Sequence, residues 1–127
     1  MSVIGLGVDL ADTERVRALL EKNGGRFKAR VFTDGECAYC DGCADPALHY
    51  AARFAAKEAA AKALGTGFAD GVGWRDVEVV REPSGAPRVV LHGAAARKAE
   101  ELGITRILLS LTHTQTAAAA AVVMTQT

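Results

Sequence analysis

The stretch PALHYAARFAAKEAAAKAL, entered through Asp45-Pro46 and left at Gly65, constrains the fold more than any other part of the chain. Alanine, leucine, lysine and glutamate are strong helix formers. Aspartate before proline is an N-cap followed by the helical position where a missing N–H costs nothing, and glycine is the usual left-handed stop. The pattern predicts a helix over residues 46–64 with Gly65 as its end. At about 3.6 residues per turn, Ala51, Phe54, Ala55, Glu58, Ala61, Lys62 and Gly65 share one side. Small residues make that side approachable, and Glu58 and Lys62 project from it one turn apart. An exposed pair at this spacing contributes only about 0.3–0.5 kcal/mol. Such pairs normally sit among polar residues, whereas half-burying a charge in an alanine–phenylalanine stripe is costly without a further partner.

The N-terminal segment SVIGLGVDL alternates like a strand. Ile4, Leu6, Val8 and Leu10 suit a core face. Val3, Gly5, Gly7 and Asp9 form the other face, nearly bare of side chains and ending in a carboxylate. Glycine in a strand marks close approach by a ligand or another backbone, and packing against a neighbouring element is the expectation here. Asp9 and Glu58 could together bind a hard cation, since two carboxylates completed by water and substrate phosphate are a usual magnesium arrangement. Lys62 beside them would meet a phosphate as a point charge. The loop Gly65-Thr66-Gly67 could bring backbone N–H groups to the same phosphates. It follows a helix C-terminus, where the dipole disfavours anions, so any such contact must come from the loop's own amides.

A helix should follow the strand, capped by Asp12 or Thr13, with Val16, Leu19 and Leu20 as its apolar stripe and Gly24-Gly25 as its end. From Arg15 to Arg30 this region holds Arg15, Arg17, Lys22, Arg26, Lys28 and Arg30 against one acid, Glu21. Arg15 and Lys22 fall on the same helix face. The whole chain balances 15 basic against 15 acidic residues, so no global field argues for nucleic acid. The excess is a local basic patch, either a solvated face or a surface for an acidic partner.

A short helix is expected from Thr33 or Asp34. DVEVVRE and RVVLH flank the turn residues PSGAP and predict a hairpin. GAAARKAEELG is a further helix stopped by Gly103. RILLSLTHT and TAAAAAVVM are expected as a second hairpin, with Val122-Val123-Met124 overriding the helical preference of the alanines. The order predicts an α+β fold in a single domain, residues 1–127. No stretch of about 18 apolar residues is present, and the N-terminus lacks the charged region of a secretory signal, so the expected location is cytoplasmic. Cys37, Cys40 and Cys43 have the spacing C-x-x-C-x-x-C, with His49 as a conceivable fourth zinc ligand. Structural zinc needs four ligands and no second C-x-x-C exists, so plain, dispensable thiols are expected.

GVD at the end of the first strand, FTDGE followed by YC, ARFAAKEAAAKALGTG, and SLTHT before the final strand resemble the holo-acyl-carrier-protein synthases, the short type of 4′-phosphopantetheinyl transferase. The resemblance covers nearly the whole chain, with the motifs in the family's order and spacing. It implies a 4′-phosphopantetheinyl transferase-like fold, a small antiparallel sheet packed with a long helix, assembled as a trimer with active sites at subunit interfaces. It implies transfer of phosphopantetheine from coenzyme A to a serine of an acyl carrier protein, with release of adenosine 3′,5′-bisphosphate. Asp9 and Glu58 would hold Mg2+ against the pyrophosphate, and Lys62 would contact the phosphates. Either Glu58 or a metal-bound water would take the serine proton. Arg53 and Lys57 are assigned to coenzyme A phosphates, and His113 to a phosphate contact or a strand-end role. Arg15, Lys22, Arg26 and Phe27 would dock the acidic carrier protein. The cysteine-rich segment at 37–45 shares only Tyr39-Cys40 with the family's usual pattern.

Overall fold

The computed structural model describes all 127 residues. In chain order the elements are β1 (Ser2–Asp12), α1 (Thr13–Val31), α2 (Asp34–Asp41), α3 (Pro46–Leu64), a single 3-10 turn (Trp74–Asp76), β2 (Val77–Arg81), β3 (Pro87–Leu91), α4 (Gly93–Leu102), β4 (Arg106–His113) and β5 (Ala117–Gln126). β1, β5 and β4 form an antiparallel sheet in that spatial order, while β2 and β3 form a separate hairpin. The α+β organisation and the expected hairpins are all present. No helix is long and apolar enough to cross a membrane.

α3 runs through the middle of the molecule. Thirteen of its residues are buried, most of them alanine. Its bounds are those the sequence predicts: Pro46 opens it and Gly65 ends it with φ of 81°. The alanines matter because β1 lies directly on the helix backbone. A Cβ added at Gly5 would stand 1.9 Å from the carbonyl oxygen of Ala63, and one at Gly7 would stand 1.8 Å from that of Ala59. No side chain fits there. The glycine face of β1 is therefore the inward face.

This reverses the expectation for the other face. Leu6, Val8 and Leu10 are 63%, 57% and 72% exposed, and Ile4 is only half-buried. Alternation separates the two faces from Gly5 onward, a register shift between Val3 and Gly5 leaving Val3 exposed, but apolar content chose the wrong face as core. In β5 the inward residues are Ala118, Ala120, Val122 and Met124, all essentially buried. The outward row pairs Leu6 with Val123 and Val8 with Ala121, and Leu108 of β4 also pairs with Val123. One side of the sheet is thus an apolar surface open to solvent in the single chain.

α1 is capped by Asp12, whose side chain accepts from the Arg15 N–H. Gly24-Gly25 does not end it. The helix kinks at Asn23 (φ −145°, ψ 47°) and resumes to Val31. Burial explains the continuation: Phe27, half-buried, meets Phe32 at 5.5 Å and Phe54 at 6.0 Å, and Val31 and Phe32 enter the core. That apolar area outweighs the roughly 1 kcal/mol cost of a helical glycine.

α2 begins at a full capping box, Thr33 with Glu36. Glu36 is 1% exposed, and its carboxylate also receives the Val79 N–H at 2.8 Å and the Lys57 ammonium at 2.7 Å. Lys57 further donates to the carbonyls of Trp74 and Val77. This buried pair joins α2, α3 and β2 at one point.

Candidate functional site

Asp9 follows Gly5 and Gly7 on the inward face of β1, so the strand that lies on α3 delivers its carboxylate to that helix. The Lys62 ammonium donates to Asp9 Oδ1 at 2.8 Å and to the Val8 carbonyl at 3.3 Å. Glu58, one turn earlier on α3, is half-buried against Asp9. Burial and the neighbouring Asp9 carboxylate raise its proton affinity above the usual glutamate value, while Lys62 and Arg15 pull the other way. A cleft of about 170 Å³ opens beside these groups and is lined by Asp9, Glu58, Asp12, Arg15 and Phe54 among others. Asp9, Glu58 and Lys62 therefore come together as the sequence predicts.

The chemistry of this cluster follows from its electrostatics. Two carboxylates held in contact repel, and a proton or a cation relieves the repulsion. Both donors are hard oxygens, which suits magnesium rather than a thiophilic metal. Two protein carboxylates leave most coordination positions for water and substrate oxygen. Lys62 is 54% exposed in its side chain and so remains available to an incoming anion.

Lys57 is elsewhere. Its side chain has no exposed surface and its ammonium is enclosed by Glu36 and two carbonyls. Burial lowers its proton affinity and Glu36 opposes that shift. It cannot reach coenzyme A, so its assignment to phosphate binding is corrected to a structural one. Solvated and buried lysines look alike on a helix of alanines, and the deciding partner, Glu36, is 21 positions away in sequence.

The Gly65-Thr66-Gly67 loop is also reassigned in part. The Gly65 N–H donates to the Lys62 carbonyl and the Gly67 N–H to that of Ala61. Both amides satisfy the last turn of α3 rather than pointing at a ligand. The positive φ of Gly65 and Gly67, 81° and 56°, makes this closure possible.

Arg53 and His113 meet in a second cleft, of about 310 Å³, with His49, Tyr39 and Arg81. Arg53 is 4% exposed, its guanidinium lies 4.3 Å over the Tyr39 ring, and its Nε has no hydrogen-bond partner. Arg81 lies over the same ring and donates to the Tyr39 hydroxyl. No residue lines both clefts. Sequence alone assigns no role to Tyr39 or Arg81 and offers His49 only as a conceivable zinc ligand. The signal for His49 was its position four residues before Arg53, on the same helix face.

His49 packs against Tyr39 and His113, with ring centroids 5.7 and 6.2 Å away. The three cysteines are free. Cys40 is fully buried and burial pushes its thiol up to about 12, while Cys43 donates to the Tyr39 carbonyl.

Of the basic patch, Arg15, Lys22, Arg26 and Arg30 are exposed. Arg17 is held bidentate by Asp45, and Lys28 is paired with Asp41. Arg15 lines the carboxylate cleft. Phe27 gives part of its ring to the core and has only the remainder to offer a partner.

A family model described as the 4′-phosphopantetheinyl transferase superfamily matches residues 5–122, so the chain belongs to that superfamily. Its relatives narrow the class. A holo-[acyl-carrier-protein] synthase of Solibacter usitatus is 50% identical, over 88% of this chain and 90% of that protein. The crystal structure of the holo-[acyl-carrier-protein] synthase of Neisseria meningitidis superposes with a TM-score of 0.90 at 33% identity, covering 98% of this chain and 99% of that one. A Bacillus anthracis holo-(acyl-carrier-protein) synthase, solved in complex with CoA (3′,5′-ADP), superposes at 0.82 with 28% identity over the full length of both chains.

Lys57→Met is expected to lower stability by about 3–5 kcal/mol, because it leaves the Glu36 carboxylate buried without its cation. Urea denaturation measures the loss. An unchanged midpoint together with weaker coenzyme A binding would restore Lys57 to the ligand site.

Proposed function

We propose that this protein transfers 4′-phosphopantetheine from coenzyme A to a serine hydroxyl of an apo-acyl carrier protein and releases adenosine 3′,5′-bisphosphate. The observation that carries the reading is the contact of Asp9, Glu58 and Lys62 at a cleft edged by Arg15. The bond that forms joins the serine oxygen to phosphorus; the bond that breaks joins that phosphorus to the adenosine bisphosphate.

Asp9 and Glu58 are the residues that would hold Mg2+, which when bound neutralises pyrophosphate oxygens as charge develops on the leaving group. Lys62 adds a mobile positive charge and is kept at the site by Asp9. Among the chain's own groups there, Glu58 has the raised proton affinity that suits taking the serine proton. Arg53 and His113 are assigned to coenzyme A phosphates. The physiological setting in this reading is the cytoplasm, whose reducing conditions suit three free cysteines.

The same reading includes a homotrimer. An apolar sheet face carrying Leu6, Val8, Leu10 and Leu108 needs covering. The separation of the carboxylate cleft from the Arg53–His113 cleft within one chain also favours a site completed by a neighbour. Sedimentation equilibrium is expected to give three times the chain mass, and Leu10→Lys to give monomers with little turnover. A fully active monomer would overturn the shared site.

Glu58→Gln is expected to keep the fold and cut turnover by about a hundredfold or more, the usual loss on removing one electrostatic stabiliser. Excess chelator should abolish transfer, read as the mass gain on a carrier protein. Full activity in chelator would remove the metal from the mechanism.

Lys22→Glu with Arg26→Glu, both clear of the carboxylate cleft, is expected to raise KM for the carrier protein and spare that for coenzyme A. The effect should shrink with added salt, since exposed charges are screened over roughly 8–10 Å at moderate ionic strength. Equal loss for both substrates, or no salt dependence, would place docking elsewhere.

A further inference from the structure

Four rings run in series from α1 to the loop behind α3: Phe27, Phe54, Trp74 and Phe68. Phe27 meets Phe54 at 6.0 Å. Trp74 stacks on Phe54 with centroids 4.9 Å apart and planes inclined by 11°, and Phe68 stacks on Trp74 at 3.8 Å and 21°. All four side chains are half-buried. Offset stacks of this kind contribute about 0.5–1.5 kcal/mol each beyond the area they bury. Phe54 is the ring of the series that lines the carboxylate cleft, one turn before Glu58 on α3. Ala51 and Ala55 beside it are too short to hold it, so its direction is left to rings from other elements.

Trp74 is itself firmly held. Its carbonyl accepts from the Lys57 ammonium at 3.1 Å. Asp76 closes the turn that carries it, its side chain accepting from the Gly73 N–H at 3.0 Å and its carbonyl from the His92 N–H at 2.8 Å. The buried Lys57–Glu36 pair thus reaches the cleft through one carbonyl and one stacked ring. Phe68 belongs to the loop 65–73, which turns through left-handed residues at Gly65, Gly67, Asp70 and Gly71. Its stack on Trp74 ties that loop to the same wall.

We propose that Trp74 is a positioning residue for the transfer reaction: it fixes the Phe54 ring as the apolar wall of the Asp9–Glu58 cleft, so that substrate meets those carboxylates from one direction with water excluded on the ring side. This rests on the phosphopantetheinyl transfer reading for the reaction served, whereas the ring series stands on its distances. Trp74 does not line the cleft and acts through Phe54. A wall that drifts by about an ångström costs rate more than ground-state affinity, so the role is read in kcat.

Trp74→Ala and Trp74→Phe are the variants, each assayed at a temperature where circular dichroism shows it folded. Trp74→Ala is expected to lower kcat roughly tenfold or more and to leave KM for coenzyme A within about twofold. Trp74→Phe, which keeps a flat ring on Phe54, should recover most of the wild-type kcat. A purely structural indole would lower the melting temperature and leave kcat of the folded enzyme unchanged. That result, no recovery with phenylalanine, or a raised KM for coenzyme A at unaltered kcat would each overturn the proposal. One measurement needs no substitution at position 74. Trp74 is the only tryptophan of the chain, so its emission reports on this ring alone. Coenzyme A with Mg2+ is expected to change that emission in the wild type, and Phe54→Leu to abolish the change. Emission indifferent to both ligands would sever the indole from the cleft and sink the idea. Absence of transfer in the wild type would defeat the proposed function, and the emission response would then decide alone whether Trp74 governs the cleft.

Discussion

Two glycines of β1 seated on two carbonyls of α3 set the geometry of the molecule. With Gly5 and Gly7 against Ala63 and Ala59, the strand and the helix approach to a distance no side chain could tolerate. Three consequences follow from that one contact. The next inward position, Asp9, comes level with Glu58 and Lys62. The apolar residues between the glycines are turned outward. The helix itself must be built of alanine wherever strand backbone crosses it. The site and the exposed apolar sheet face are thus two sides of the same strand, and neither can move without the other.

Much of this was legible in the chain, because local rules wrote it. Pro46 and Gly65 bound α3 through φ preferences that need no tertiary help, while Asp45, the expected cap, makes no side-chain cap bond and gives both oxygens to Arg17. Thr33 with Glu36 announces α2 in the same way. Asp9, Glu58 and Lys62 could be grouped because a strand end and an i, i+4 pair each stood in unusually small-residue surroundings. The failures were of a different kind. Leu6, Val8 and Leu10 were put inside because hydrophobicity normally decides a strand's inner face. Here backbone proximity decided it, and the apolar side chains face outward. Gly24-Gly25 looked like a helix end, but Phe27, Val31 and Phe32 bury enough surface to draw the chain back into helix after Asn23.

Lys57 was illegible for a further reason. Its partner Glu36 is doubly determined: its backbone position caps α2, and its side chain then reaches inward to Val79 and Lys57. A capping glutamate is ordinarily a surface residue, and no pattern along the chain reveals that this one is sealed. Buried ion pairs contribute little net stability over apolar residues of similar size, but losing one partner is severe. The pair therefore acts as a latch on geometry. It locks α2 against α3, and with it Tyr39, on whose ring Arg53 rests.

The charges of α3 divide the work of the chain by helical angle. Lys57 points to α2 and the hairpin and is consumed in structure. Glu58 and Lys62 point to β1 and make the carboxylate cleft. Arg53 points to Tyr39 and the end of β4 and makes the cationic cleft. A helix of larger residues could not bring strand and hairpin backbone so near on several sides, so the alanines are what allow one helix to serve both clefts. The two clefts share no lining residue within one chain. In the proposed trimer, a second chain seated on the exposed face of β1 would bring its own Arg53–His113 cleft toward Asp9 and Glu58. In that trimer, the outward turn of Leu6, Val8 and Leu10 would serve the site as well as the assembly.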